Sequence, residues 1–295
     1  VASPPSENLP PAAATATAEV HETPAARQPA GTRDVPRNPR ALDEALFGVT
    51  RVLTFAGTQG LTTASAFFFE RGERLFLATS RHVLFDAPTQ HSPDRITIDL
   101  HTDVQNLTRL ATLSILLYHQ GTARWRQARD SGGEIDVAVL ELDRQAMPRG
   151  SVIRAFGPQH LPGSFDQFEV GDRLAIPGFP LGFFDTVHHL PVVRQASIAS
   201  SYGTRFQGQG YFLTDGRLHR GSSGSPVLAY AAEAAGAGRS RWCLLGVHSS
   251  RMDMATRDTE QDESLGLNCA WYADILMTLT APGGERASMP APARA

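Results

Sequence analysis

Three short stretches carry the residue types of nucleophilic acyl chemistry. The first is Gly221-Ser222-Ser223-Gly224-Ser225-Pro226. A serine hydroxyl attacks a carbonyl carbon only when a base takes its proton, and the oxyanion that results needs donors aimed at it. Glycines beside the serine let the backbone turn so that the N–H groups of Gly221 and Ser223 point into one hole. A Gly/Ser turn ahead of a strand is the plainer alternative for the hexapeptide alone. The second stretch is the apolar run from Leu75 that ends in Ser80-Arg81-His82-Val83-Leu84, which sets an imidazole just past a strand. The chain has ten histidines, so His82 stands out by that position and not by its type. The third is Gly132-Gly133-Glu134-Ile135-Asp136 leading into Val137–Leu142. A carboxylate at the head of such a run is partly buried and needs a partner, which His82 would supply. An Asp that merely turns a hairpin is the structural alternative.

These groups must be held by the elements around them, and those elements read as strands. Short runs rich in β-branched and aromatic residues, separated by turn signals, mark candidates at Val49–Phe55, Thr63–Glu70, Leu75–Ser80, Ile96–His101, Leu113–Tyr118 and Asp136–Leu142. After a Pro/Gly-rich connector near 147–170 come Arg173–Ile176, Val192–Ile198, Tyr211–Thr214, Ser225–Tyr230, Arg241–His248 and Leu265–Ala270. Only Trp271–Leu279 has helical spacing, with apolar residues at 271, 275, 276 and 279. Six strands, a connector, six strands and a short C-terminal helix predict an all-β body of two six-stranded antiparallel barrels packed together. The barrels are expected over about 45–150 and 165–280.

Composition limits the remaining possibilities. Residues 1–40 hold 8 of the 20 prolines and few large apolar side chains, so they read as a disordered arm, tether or propeptide flanking a folded body over 41–280. Residues 281–295 read as a second disordered tail. A formal charge of −3 lacks the basic footprint of a nucleic-acid binder. No apolar run approaches the roughly 18–20 residues that span a membrane. Every one of the 27 basic Lys+Arg positions is Arg. The two cysteines, Cys243 and Cys269, are too few for a disulfide framework or a structural zinc site. They allow one bridge or two buried thiols, and the strand-like run around each favours thiols. The adjacent His188 and His189 point to opposite faces if they lie on a strand, so they read as a loop feature and not a metal site. Asn106-Leu107-Thr108 fits a glycosylation acceptor pattern, one that is common by chance.

Taken together, the chain order His82…Asp136…Ser223 is shared with chymotrypsin-type enzymes and not with subtilisin or the α/β-hydrolases. The sequence resembles the trypsin-like serine proteases, nearest the bacterial high-temperature-requirement (Deg-like) and glutamyl endopeptidase types. Thr62-Thr63-Ala-Ser-Ala-Phe-Phe-Phe and Leu75–Leu84 resemble the family's first-barrel hairpin. Gly171–Gly182 resembles the opening of the second barrel, Phe212–Ser223 the approach to the nucleophile, and Leu265–Ala270 the last strand. The resemblance covers roughly residues 50–280. It implies a chymotrypsin-like fold and a serine endopeptidase acting on polypeptide substrates. Its triad would be His82, Asp136 and Ser223, with no metal or organic cofactor. It also implies that Ser249 bonds the Asp136 carboxylate. Gly246-Val247-His248-Ser249-Ser250-Arg251 would wall the primary specificity pocket. Glutamyl endopeptidases carry a Gly-aliphatic-His pattern there, so His248, helped by Ser250 or Arg251, would select Glu or Gln before the cleaved bond. Leu218 or His219 stands where that pocket has a Thr, and a purely structural His248 is the alternative.

Two departures follow. Ser222 replaces the usual Asp or Asn before the nucleophile, which bears on how the oxyanion loop is braced. One protease unit also fills these residues, leaving no room for PDZ modules. The Pro/Ala-rich start suits an exported bacterial protein, secreted or periplasmic. Two other readings compete. One is the same fold kept as a catalytically silent binding or sensing module. The other is an α/β-hydrolase, disfavoured because Ser225 replaces the last Gly of its motif and because strands do not alternate with helices.

Overall fold

The strands form an all-β body in two halves, as the strand pattern predicts: the second is a closed six-stranded barrel, and the first is a seven-stranded sheet where six strands were expected. The computed structural model describes residues 43–230, 241–252 and 265–283. The expected arm over 1–40 and the expected tail beyond 283 lie outside the described residues. In the first half, the main strands are β1 (Val49–Ala56), β2 (Gln59–Arg71), β3 (Arg74–Thr79), β4 (Arg95–His101), β5 (Leu110–Leu116), β8 (Trp125–Asp130) and β9 (Gly133–Leu142). They form a seven-stranded antiparallel sheet in the order β5-β4-β1-β2-β3-β9-β8. A two-stranded ribbon of β6 (Tyr118–His119) and β7 (Thr122–Ala123) leads into β8.

One strand here escapes the sequence pattern. After Trp125, β8 reads Arg126-Gln127-Ala128-Arg129-Asp130, which offers no apolar alternation. It is held as an edge by its ladder to β9, where Trp125 opposes Leu140 and Arg126 opposes Val139. Trp125 alone is fully buried, in the sheet's inner core with Phe68, Leu77, Ile96 and Leu140.

The second half is a closed six-stranded barrel of β10 (Arg173–Gly178), β11 (Val192–Ile198), β12 (Tyr211–Asp215), β13 (Pro226–Tyr230), β14 (Trp242–Arg251) and β15 (Leu267–Tyr272), in the order β10-β11-β12-β15-β14-β13. Its interior is filled by Leu174, Ile176, Phe212, Val227, Leu245 and Ala270. A third cluster fills the seam between the two halves: Phe67, Phe69, Phe76, Val137 and Val139 meet Phe179, Leu228, Leu244, Val247 and Trp271. Strands β2 and β9 are therefore buried on both faces, which explains their unbroken apolar runs. Each such side chain contributes about 1.5–3 kcal/mol, so the seam is a strong adhesive between the halves.

The closing helix is shorter than its spacing suggests. Helix α2 spans Ile275–Leu279, while Trp271 and Tyr272 finish β15. Trp271 pairs with Tyr211 and Val247 across the ladder, because the barrel closes only with β15 between β12 and β14. Trp271, Leu276 and Leu279 are buried and Ile275 packs against them, all in the inter-half seam. That shared burial produces the helical period without a helix at its start. Arginines of the first sheet hold the end of α2. Arg126 Nη1 donates to Ala281 O at 2.7 Å, Arg74 Nη1 to Thr280 O at 3.3 Å, and Arg71 Nη1 to the Met277 carbonyl. Among the described residues no helix is long and apolar enough to cross a membrane.

Candidate active site

His82 stands on α1, a single turn over Arg81–Leu84 that follows β3 directly. Ser80 occupies the N-cap position, but its hydroxyl donates across the seam to His248 O at 3.0 Å. The turn is instead held by Asp136. The His82 amide donates to Asp136 Oδ1 at 2.8 Å, and His82 Nδ1 lies 2.7 Å from Asp136 Oδ2. Asp136 sits within β9, after the hairpin and not at its turn. Its neighbours Ile135 and Val137 face the seam core, so alternation sends its carboxylate to the other face, toward His82. The side chains of His82 and Asp136 are 33% and 18% exposed.

The charge balance of the pair follows from these bonds. Burial alone would raise the Asp136 pKa, but the bonds from His82 and Ser249 and the charge of His82 outweigh it and hold it below the usual carboxylate value. Burial alone would lower the His82 pKa. The hydrogen bond and charge of Asp136, with the charge of Asp86, overcome it and raise His82 above its ordinary 6.5. An ionised carboxylate at Nδ1 draws the ring proton there, which leaves Nε2 as the basic nitrogen.

Ser223 lies in the turn between β12 and β13. Gly221 has φ of +91° and Gly224 of +85°. A side chain at Gly224 would also put its Cβ 2.1 Å from Ser65 O, and one at Gly221 would meet Phe179 O at 2.5 Å. Both positions thus require glycine for conformation and for space. Within this turn the N–H of Ser222 donates to His219 O at 3.1 Å, that of Gly224 to His248 O at 2.8 Å, and that of Ser225 to Ser222 O at 2.9 Å. The N–H groups of Gly221 and Ser223 donate to no acceptor among the described residues. Within residues 221–225 these are the two donors left unbonded among the described residues, and two such donors are what an oxyanion requires.

The Ser223 hydroxyl does not bond His82 here. It donates to Ser249 O at 2.9 Å. Ser249, 4% exposed on β14, connects the parts, since its own hydroxyl donates to Asp136 Oδ2 at 2.5 Å. His82, Asp136, Ser249 and Ser223 are thus one continuous cluster spanning both halves. His248 is 2% exposed, and its Nδ1 has no partner among the described residues. Burial, together with the charge of His82, lowers its pKa to about 3. The Ser225 hydroxyl, one ladder step away through the 2.9 Å bond from His248 N to Ser225 O, is likewise buried and unpartnered among the described residues. Ser250 is exposed, and the side chain of Arg251 lies outside the described residues.

Ser222 is buried and braces the turn through its backbone. The side chain that reaches the Gly221–Ser223 end of this turn from the first half is Ser65 of β2, which the sequence pattern does not single out. Its one signal is a small polar residue inside the apolar run Ala64-Ser65-Ala66-Phe67. The remaining sequence candidates lie apart from the cluster. Cys243 and Cys269 are buried and unbridged, and burial pushes each thiol up to about 11. His188 and His189 fall in the loop between β10 and β11, where His188 Nδ1 lies 2.7 Å from Asp185 Oδ2. Asn106 forms an exposed turn with Thr108.

A sequence profile described as a trypsin-like peptidase domain matches residues 64–236, more than half of the chain. No curated protein sequence matches. Similar solved structures include the HtrA-type protease AlgW with tripeptide, at 17% identity and a TM-score of 0.48, covering 80% of this chain and 60% of that one. A serine endoprotease from Yersinia pestis matches at 15% identity and a TM-score of 0.46, covering 79% and 61%. The chain therefore spans about three fifths of the length of these structures.

Proposed function

Because the chain belongs to the trypsin-like peptidase family, we propose that it is a serine endopeptidase in which Ser223 is the nucleophile, His82 the general base and Asp136 the carboxylate that orients it. The observation that carries this reading is the pair of free N–H groups at Gly221 and Ser223, set beside a His82 whose Nδ1 is committed to Asp136. In this reading a rotation about the Ser223 Cα–Cβ bond releases the hydroxyl from Ser249 O and turns it toward His82 Nε2. Ser223 Oγ then bonds to the substrate carbonyl carbon while its proton passes to Nε2, and the carbonyl oxygen becomes an oxyanion held by the two N–H groups. His82 next gives that proton to the leaving amine as the C–N bond breaks. Water repeats the sequence to release the acid.

A second reading, a silent binding module of the same fold, is favoured only by the bond from Ser223 to Ser249 O. A fluorophosphonate probe separates the two. Covalent labelling at Ser223 is the expected result, and an unlabelled but folded protein would leave the silent module standing.

The raised His82 pKa has a consequence for rate. The base must be neutral, so kcat/KM should fall on acidification through a midpoint above about 6.5, the value of an unperturbed histidine. A rate profile that is flat from pH 5 to 8 would remove His82 from the role.

Specificity is a finer part of the proposal. Burial lowers the His248 pKa to about 3, so the ring is neutral near neutral pH, and its Nδ1 and the Ser225 hydroxyl are buried polar groups with no partner among the described residues. In this reading a Glu or Gln side chain before the scissile bond offers one, with Ser250 or Arg251 assisting. One hydrogen bond of this kind is worth about 1 kcal/mol, so a peptide library should enrich Glu or Gln at that position by about fivefold over Leu. Enrichment of other residues there would make His248 purely structural.

A further inference from the structure

The free donors at Gly221 and Ser223 are useful only if the peptides that carry them cannot rotate, and the bonds that prevent rotation converge on one residue of the opposite half. Ser65 lies in β2, opposite Arg51 of β1, and its side chain is 0% exposed. Its hydroxyl donates to Gly221 O at 2.7 Å and accepts from Phe179 N at 3.0 Å. Its amide donates to Ser223 O at 2.9 Å, and its carbonyl accepts from Thr79 Oγ1 at 2.8 Å. The carbonyls of Gly221 and Ser223 belong to the peptides on either side of the one that presents the Ser223 N–H. Fixing both leaves that middle peptide little freedom to turn. The Gly221 N–H belongs to the peptide whose carbonyl, Arg220 O, accepts from Leu181 N. Leu181 is two residues beyond Phe179, whose amide the Ser65 hydroxyl receives. A single hydroxyl thus ties together the loop that carries both donors and the loop that props one of them.

We infer that Ser65 is a positioning residue for the oxyanion hole. Its role presupposes the peptidase reading of Ser223. The hydroxyl touches neither His82 nor Asp136, so it acts on the stabilisation of the oxyanion and not on the base. Without it, the buried Gly221 carbonyl and Phe179 amide lose a shared partner. They regain hydrogen bonds only by moving the 179–182 and 220–223 segments.

The test compares Ser65→Ala and Ser65→Thr with the wild type as full chains. Substrate is a fluorogenic peptide that the wild type cleaves, and thermal melting is recorded for each. Removing an oxyanion donor outright costs about 10²–10³ in rate, so loosening the donors is expected to lower kcat by about ten- to a hundredfold. KM should stay within about threefold, and the inhibition constant of a peptide aldehyde, whose tetrahedral adduct places an oxyanion in the hole, should rise by the same factor as kcat falls. The midpoint of the pH–rate profile should not move. Ser65→Thr, which keeps the hydroxyl, should retain most of the rate. A Ser65→Ala enzyme with kcat within fivefold of wild type, a change confined to KM, an equal loss in Ser65→Thr, or failure of Ser65→Ala to fold would each overturn the role. A wild type that neither cleaves peptides nor takes up a fluorophosphonate removes the peptidase reading itself. An active wild type with an unaffected Ser65→Ala removes only the assignment to Ser65.

Discussion

Ser223→Ala is expected to lower kcat by at least about 10⁴-fold, the loss typical when a triad nucleophile is removed. The fold should not notice. Among the described residues the hydroxyl bonds only the Ser249 carbonyl, and the turn is held through backbone groups, the Ser223 carbonyl receiving Ser65 N. Melting temperature should therefore stay within about 2 °C of wild type, as for a partly exposed substitution whose one lost hydrogen bond is the donor to Ser249 O. Steady-state kinetics with calorimetry on the same preparation checks both halves of the expectation. Retained hydrolysis within tenfold of wild type would mean that Ser223 is not the nucleophile.

Asp136→Asn comes next in size and acts through a different atom. An amide keeps the shape of the carboxylate but can offer His82 Nδ1 a donor instead of an acceptor. The ring proton then moves to Nε2, which can no longer accept a proton from the proposed nucleophile. A drop of about 10⁴ in kcat at neutral pH is expected, as in other triads changed this way. The sign of the accompanying pKa change separates this cause from general damage. Two of the influences that raise His82, the hydrogen bond and the charge of Asp136, disappear, while burial, which lowers it, remains. His82 in the variant should titrate below its wild-type value, readable by NMR from its ring proton. An unchanged His82 titration, or a rate within tenfold of wild type, would exclude Asp136 from the role. Ser249 also loses a charged acceptor, so a modest loss of thermal stability is expected as well.

Legibility varied with how local the cause was. The apolar runs at Ala66–Phe69 and Val137–Leu140 marked strands because both faces of β2 and β9 are buried, and the ladders keep them. Edge strand β8 was invisible, since its polar residues are held by pairing to β9 and not by their own burial. The helical period from Trp271 misled at its start because one seam collects apolar residues from a strand end and a helix alike. At the site, the glycines around Ser223 were readable because a positive φ and a lack of space admit little else. Ser65 was not, because three of its four hydrogen bonds join segments far apart in the chain, Gly221 lying 156 positions away.

Residue types and short-range spacing by themselves determined the three chemical stretches, the strand-rich class and the two glycines of the nucleophile turn. Backbone sterics and side-chain alternation act within a few residues and leave their mark in the sequence. Tertiary structure alone decided where the Ser223 hydroxyl rests, that His248 is buried with a nitrogen unpartnered among the described residues, and that Ser65 bonds the turn from the opposite half. Each of these depends on which distant group lies within about 3 Å of a polar atom, and that is settled only when the two halves pack.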